Sequence, residues 1–179
     1  MMRRLILTPD DHRIARLTAA AIAIALIESA VPSPLPGVKP GLANIVTLLV
    51  LLRYDWATAA WVTLLRVLAV SLLVGQFLAP GFVLSLSGAL AALGVLCLAQ
   101  HLVGYQARWF GPVTLSVLAA LAHMMTQLLI VRWWLVPSPG VWVLAPLFIG
   151  AALLFGTLNG LIVAWLMQTR QGADQTDLV

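Results

Sequence analysis

Six apolar runs, parted by short Pro/Gly-rich or charged punctuation, make up nearly all of this 179-residue chain. They cover residues 14–31, 41–52, 56–78, 82–103, 112–136 and 141–167. A straight crossing of a bilayer needs about 20 apolar residues in a helix. Five runs approach or exceed that length. The second has about a dozen residues, so it is expected either to be short or to begin below the membrane surface. Strands of a membrane barrel would alternate apolar and polar residues at every second position, and these runs do not. The expected fold is therefore all-α, a six-transmembrane-helix bundle, with a segment before it (1–13) and a tail after it (169–179).

Composition agrees with that reading. The chain is 62% hydrophobic and 9% charged, with a mean hydropathy of +1.03. A soluble domain is about a quarter charged, and this chain has too few charges to coat a water-facing surface. A disordered chain, a nucleic-acid binder and an ordinary cytosolic enzyme are all excluded. The net charge of +4 makes no basic patch, because the basic residues are spread over loops and helix ends. Cys97 stands alone, which excludes an internal disulfide and a Cys-based metal cluster. Glu28 near the end of the first run suits a signal-peptidase site badly, so the first helix is expected to be retained.

Orientation follows from the distribution of positive charge. With the N-terminus in the cytoplasm, Arg3, Arg4, Arg13, Arg16, Arg53, Arg108 and Arg170 all fall inside. Lys39 and Arg132 are left near the outer face. A multi-pass protein of the inner membrane with both termini cytoplasmic is the expectation.

In so apolar a bundle every intramembrane polar group needs a reason, because charge at bilayer depth is costly. Alternating helix directions place Glu28, Asn44, Gln76, Ser85 and Ser87 toward the outside and Arg66 and His123 near mid-depth. Gln127 lies one turn from His123 on the same helix face. Only Asn159 falls toward the inner half. The simplest account is an outward-facing cavity beneath the Pro-rich loop 32–40. Pro40 and Gly41 suit a helix start, whose unpaired N–H groups favour anions, so a carboxylate or phosphate ligand is expected. Lys39 and the start of helix two would receive the anion, with Arg66 below. Asn44 and Gln127 would orient polar edges, Glu28 would pair a cation or donor, and His123 completes the contact set.

Blander readings stand beside each of these. Glu28 and Arg66 could be an ion pair tying helices together, and His123 a packing residue with a backbone partner. Ser85 and Ser87 could bond their own helix. Asn159, beside Gly156 and Gly160, reads as helix packing through small residues. Arg132-Trp133-Trp134 reads as an interfacial anchor. Ala15, Ala19 and Ala23 form a small-residue face that is either a tight internal seam or a docking face for a membrane partner.

The stretch from Glu28-Ser29-Ala30-Val31-Pro32 through Val38-Lys39-Pro40-Gly41-Leu42-Ala43-Asn44 to Ile45-Val46-Thr47-Leu48 closely resembles the signature of the Gx transporter family. That family is often labelled heptaprenyl diphosphate synthase component I and is related to the S components of energy-coupling-factor transporters. The similarity continues through Leu65-Arg66-Val67-Leu68, Gly75-Gln76-Phe77, Phe82 to Gly88, and Ala122-His123 with Gln127, over about residues 20–168. Met124 and Gln76 stand where members tend to have Asn and Thr, differences that bear on the ligand more than on the fold. The resemblance implies six helices, cytoplasmic termini and an outward-facing site. It also implies that Ala15, Ala19 and Ala23 could meet a transmembrane coupling subunit that works with ATPase subunits.

Three functions follow. The first is a substrate-capture subunit that takes a small anionic or zwitterionic molecule from outside, with loop 32–40 closing over it. The second, from the family's label, is a non-catalytic membrane accessory of prenyl diphosphate synthesis. The third is an assembly or flavin-delivery factor for a membrane redox complex. The chain has no GxxxxGK[ST] loop, so any ATP hydrolysis belongs to partners. Its adjacent aspartates, Asp10 and Asp11, lack the further Asp partners that Mg²⁺-diphosphate chemistry needs. No catalytic residue, cofactor, metal or nucleic-acid partner is read from the sequence.

Overall fold

The computed structural model describes residues 8–30, 41–103 and 111–176, the last seven of these as backbone only. Lys39 and the loop 32–40 lie outside the described residues. Among the described residues there are six α-helices: α1 (Pro9–Ala30), α2 (Ala43–Arg53), α3 (Trp56–Leu73), α4 (Pro80–Val103), α5 (Pro112–Ile130) and α6 (Ala145–Thr176). A π-helical turn, Val131–Leu135, continues α5, and a 3-10 turn, Pro139–Leu144, leads into α6. No strand occurs among the described residues.

Local chemistry explains most of the boundaries. Asp55 caps α3 by accepting the Thr58 backbone N–H at 2.8 Å and the Thr58 hydroxyl at 2.7 Å, which satisfies donors a helix start leaves open. α3 stops at Leu73, short of the expected residue 78, because Gly75 turns the chain at φ 69°. Pro80 and Pro112 open α4 and α5, where the missing N–H costs nothing.

Among the described residues four helical segments are long and apolar enough to cross a membrane: Trp56–Leu73, Pro80–Leu102, Pro112–Leu135 and Pro139–Thr169. The other two of the six expected spans are of a different kind. α1 has 22 residues but carries Asp10, Asp11, Arg13, Arg16 and Glu28, and α2 has only 11. Exposed apolar side chains run down the outer faces, as with Trp61, Leu65, Leu68 and Leu72 on α3 and Leu154, Leu158, Leu161 and Trp165 on α6. Such faces require hydrocarbon rather than water, and the chain is a multi-pass membrane protein. Exposed tryptophans gather at both ends, Trp133, Trp134 and Trp142 at one and Trp56 and Trp165 at the other, as in interfacial belts.

Successive helices are antiparallel. Arg13 near the start of α1 stacks 4.9 Å over Tyr54 just past the end of α2, and Glu28 near the end of α1 reaches Gly41 before α2 begins. α5 and α6 pack most extensively, through glycine. A Cβ on Gly160 would lie 2.5 Å from Val113 Cα, and one on Gly156 3.0 Å from Val117 Cα, so the two backbones touch as small-residue seams allow. The main core sits toward the end of the bundle where α2 stops and α3 begins, with Ala21, Val50, Leu51, Ala59 and Val62 buried together with Leu96, Leu115 and Val163.

On α1 the inward face holds Thr18 and Ala21, with Ile14, Leu17 and Ile24 packed against the core. Ala15, Ala19 and Ala23 are exposed, so their face is not an internal seam.

Candidate functional site

α2 positions the site because of where it starts. Gly41, at φ 69°, adopts a conformation that glycine tolerates and other residues resist. Its carbonyl accepts the Asn44 N–H at 2.8 Å and the Asn159 side-chain amide at 3.3 Å. Asn159 lies well along α6, and Arg66 lies eleventh in α3. Helix two therefore begins deep within the bundle rather than at its surface. Asn44, expected near the outer face, sits level with Arg66, whose guanidinium donates to its Oδ1 at 3.3 Å.

Around this level the helices enclose a cavity of about 410 Å³. Its wall brings together Glu28, Asn44, Arg66, His123 and Gln127, five of the six expected contact residues. Lys39 is outside the described residues. Val67, Val70, Phe82 and Phe155 supply the apolar part of the lining, and Gln76 and Ser85 further polar groups. Phe82 is braced by Phe77, with ring centroids 5.1 Å apart and planes tilted by 52°.

The polar groups are spent unevenly. Gln127 donates to the Leu84 carbonyl at 3.2 Å, tying α5 to α4. Ser87 bonds its own helix at the Val83 carbonyl, 2.7 Å away. The His123 ring lies flush against Gly88, where an added Cβ would come within 2.8 Å of it. Its Nδ1 is buried with no hydrogen-bond partner among the described residues. Glu28 accepts the Gly41 backbone N–H.

Arg66 is the notable case. Its residue surface is 7% exposed, and its bonding partner is the neutral Asn44 amide. Among the described residues the one ion pair within 4.0 Å is Arg13 with Asp10, at the start of α1. Glu28 and Arg66 thus share a cavity without forming a direct ion pair. A buried guanidinium that lacks a contacting carboxylate is costly unless an anion completes it.

Beneath the cavity lies a second void of about 30 Å³, bordered by Asn44, Thr47, Thr63, Ser116 and Asn159. The Thr47 and Thr63 hydroxyls meet at 2.9 Å. That space and polarity suit a single water. The polar column therefore extends further toward the chain termini than residue-by-residue depths suggest. Asn159, expected only as helix packing, belongs to both voids. The signal for it was the shortness of helix two, since a helix that starts deep brings its polar N-terminus to residues in the middle of its neighbours. Phe82 is marked in sequence only by its place in a stretch resembling the family, and Phe155 carries no signal that sets it apart from other apolar residues.

Asp10 pairs with Arg13 at 2.8 Å, and Asp11 accepts the Thr8 N–H and hydroxyl at the start of α1. Those bonds hold the Asp11 carboxyl below its ordinary range. Both aspartates are helix-start residues far from the cavity. Among the described residues no cluster of three His, Cys, Asp or Glu side chains could hold a metal.

Comparison with curated proteins returns no match, and neither does comparison with solved structures. A family model does match, over residues 17–166, which runs from α1 through most of α6 and includes every wall residue named above. The chain belongs to the heptaprenyl diphosphate synthase component I family.

Proposed function

We propose that this protein is a membrane substrate-binding subunit, similar in role to the S components of energy-coupling-factor transporters, which captures a small anionic or zwitterionic molecule in the central cavity. The observation that carries the reading is Arg66, buried on the wall of a 410 Å³ void without a carboxylate in contact. Pockets for small molecules span about 300–1,000 Å³ and combine apolar walls with few convergent polar groups. Asn44 orients the guanidinium, Gln127 fixes α5 against α4, and Glu28, His123 and Lys39 complete the contact set. The cavity opens to the outside, and the termini are cytoplasmic. The exposed face of Ala15, Ala19 and Ala23 is the contact for a transmembrane coupling subunit with its ATPases, because small side chains let a second helix approach closely. The chain itself binds and does not catalyse.

The family's name favours one other reading, a non-catalytic membrane partner of a prenyl diphosphate synthase subunit. Native mass spectrometry of the chain, extracted with minimal detergent, distinguishes the two. Capture predicts a bound small molecule that is lost in Arg66→Ala while the protein stays inserted and folded. A bare wild-type chain, or an Arg66→Ala chain that keeps its molecule, overturns capture. A co-extracted synthase subunit with a bare cavity supports the accessory role.

A further inference from the structure

Two fixed charges of opposite sign face the cavity, and they do not satisfy each other. Glu28 accepts the Gly41 N–H, and Arg66 donates to Asn44 at 3.3 Å. Gly41 and Asn44 are the two ends of one turn, closed by the Asn44 N–H on the Gly41 carbonyl at 2.8 Å. The carboxylate and the guanidinium are therefore each held by a different residue of that turn, and no N···O contact within 4.0 Å joins them. A guanidinium has five N–H donors and a carboxylate about four acceptor sites. Among the described residues each side chain spends a single bond on the turn, which leaves most of its capacity for something in the void.

We propose that the cavity selects a zwitterion of amino-acid type with an apolar side group, its carboxylate on Arg66 and its ammonium on Glu28, and that it rejects diphosphates. The inference rests on the reading of the cavity as a capture site and narrows its ligand class. A molecule with one charge of each sign completes both side chains and adds no net charge to the membrane interior. A diphosphate brings several negative charges to a wall on which, among the described residues, Arg66 is the one cation, and Glu28 repels it. Uncompensated charge at this depth is penalised strongly. Val67, Val70, Phe155 and the braced Phe82 form the apolar wall that receives the side group.

The test measures equilibrium binding to the full chain in lipid nanodiscs with four probes. They are L-tryptophan, indole-3-acetate (which lacks the ammonium), tryptamine (which lacks the carboxylate) and geranyl diphosphate. Tryptophan is expected to bind, each truncated probe at least about tenfold more weakly, as loss of a charged hydrogen bond implies, and geranyl diphosphate not to compete. Glu28→Gln keeps an acceptor for the Gly41 N–H, so the turn is preserved. It is expected to weaken tryptophan about tenfold and to leave indole-3-acetate unchanged or tighter. Equal weakening of both probes overturns the pairing of Glu28 with the ammonium. Geranyl diphosphate binding that depends on Arg66 overturns the zwitterion inference and leaves capture standing. Binding by none of the four also overturns the inference, and native mass spectrometry then decides capture separately.

Discussion

At the scale of single residues, the chain isolates its polar groups into pairs whose worth can be measured. Thr47 and Thr63 are 7% and 2% exposed and bond each other. Thr47→Val strands the Thr63 hydroxyl and is expected to cost about 1–3 kcal/mol, whereas the double valine variant is near neutral. A double-mutant cycle on thermal stability in detergent reads the difference, and additive losses would refute the pairing. Asp55 caps α3 from outside the apolar segment. The bonds from Thr58 hold its carboxyl below the usual carboxylate range. Its stabilising effect is thus present above the ordinary carboxylate pKa of about 3.9 and is lost as pH falls through the lower folded value. Asp55→Ala is expected to cost about 1 kcal/mol at neutral pH. The gap to wild type should close under strong acid, and a gap independent of pH would assign the loss to something other than the charged cap. Sequence revealed which residues were expensive but not whom they touch. Glu28 meets a backbone N–H of the α2 turn rather than Arg66, because the partner is set by how deep that turn sits.

Among the helices, α3 to α6 were legible because an uninterrupted apolar run of about 20 residues has few other fates. Their ends shifted where glycine or a change of helix type intervened, at Gly75 and at the π-helical turn after Ile130. The relative depth of α2 was not legible, because it depends on contacts 118 residues apart in sequence, such as Asn159 with Gly41. The face of α1 was equally undetermined. Small residues occur all round that helix, and only packing against α2 and α3 decides that Ala21 turns inward and Ala19 outward. The α5–α6 seam offers a sharp contrast. Gly160→Ala places a methyl 2.5 Å from Val113 Cα and is expected to cost about 1–3 kcal/mol through overpacking. Gly94→Ala on α4 meets nothing within 4 Å and should gain up to about 1 kcal/mol from helix propensity. Thermal midpoints of the two variants moving in the same direction would refute the seam.

For the molecule as a whole, the proposed capture role takes all six antiparallel helices as crossings, which would put both ends of the chain on one side of the membrane. Reporters fused at residue 1 and residue 179 are expected to give the same cytoplasmic signal, and opposite signals would remove one crossing from the fold. The decisive dimension is the length of α2. Eleven residues rise about 16 Å, roughly half of a hydrocarbon layer about 30 Å thick. Among the described residues the hollow is therefore the half of a sixth column that α2 does not reach, and its shape is governed by a truncated pillar as well as by the walls around it. Adding one turn ahead of Ala43 would plug that shaft with backbone while leaving Arg66 and the walls in place, so capacity for cargo is set by the height of a stump.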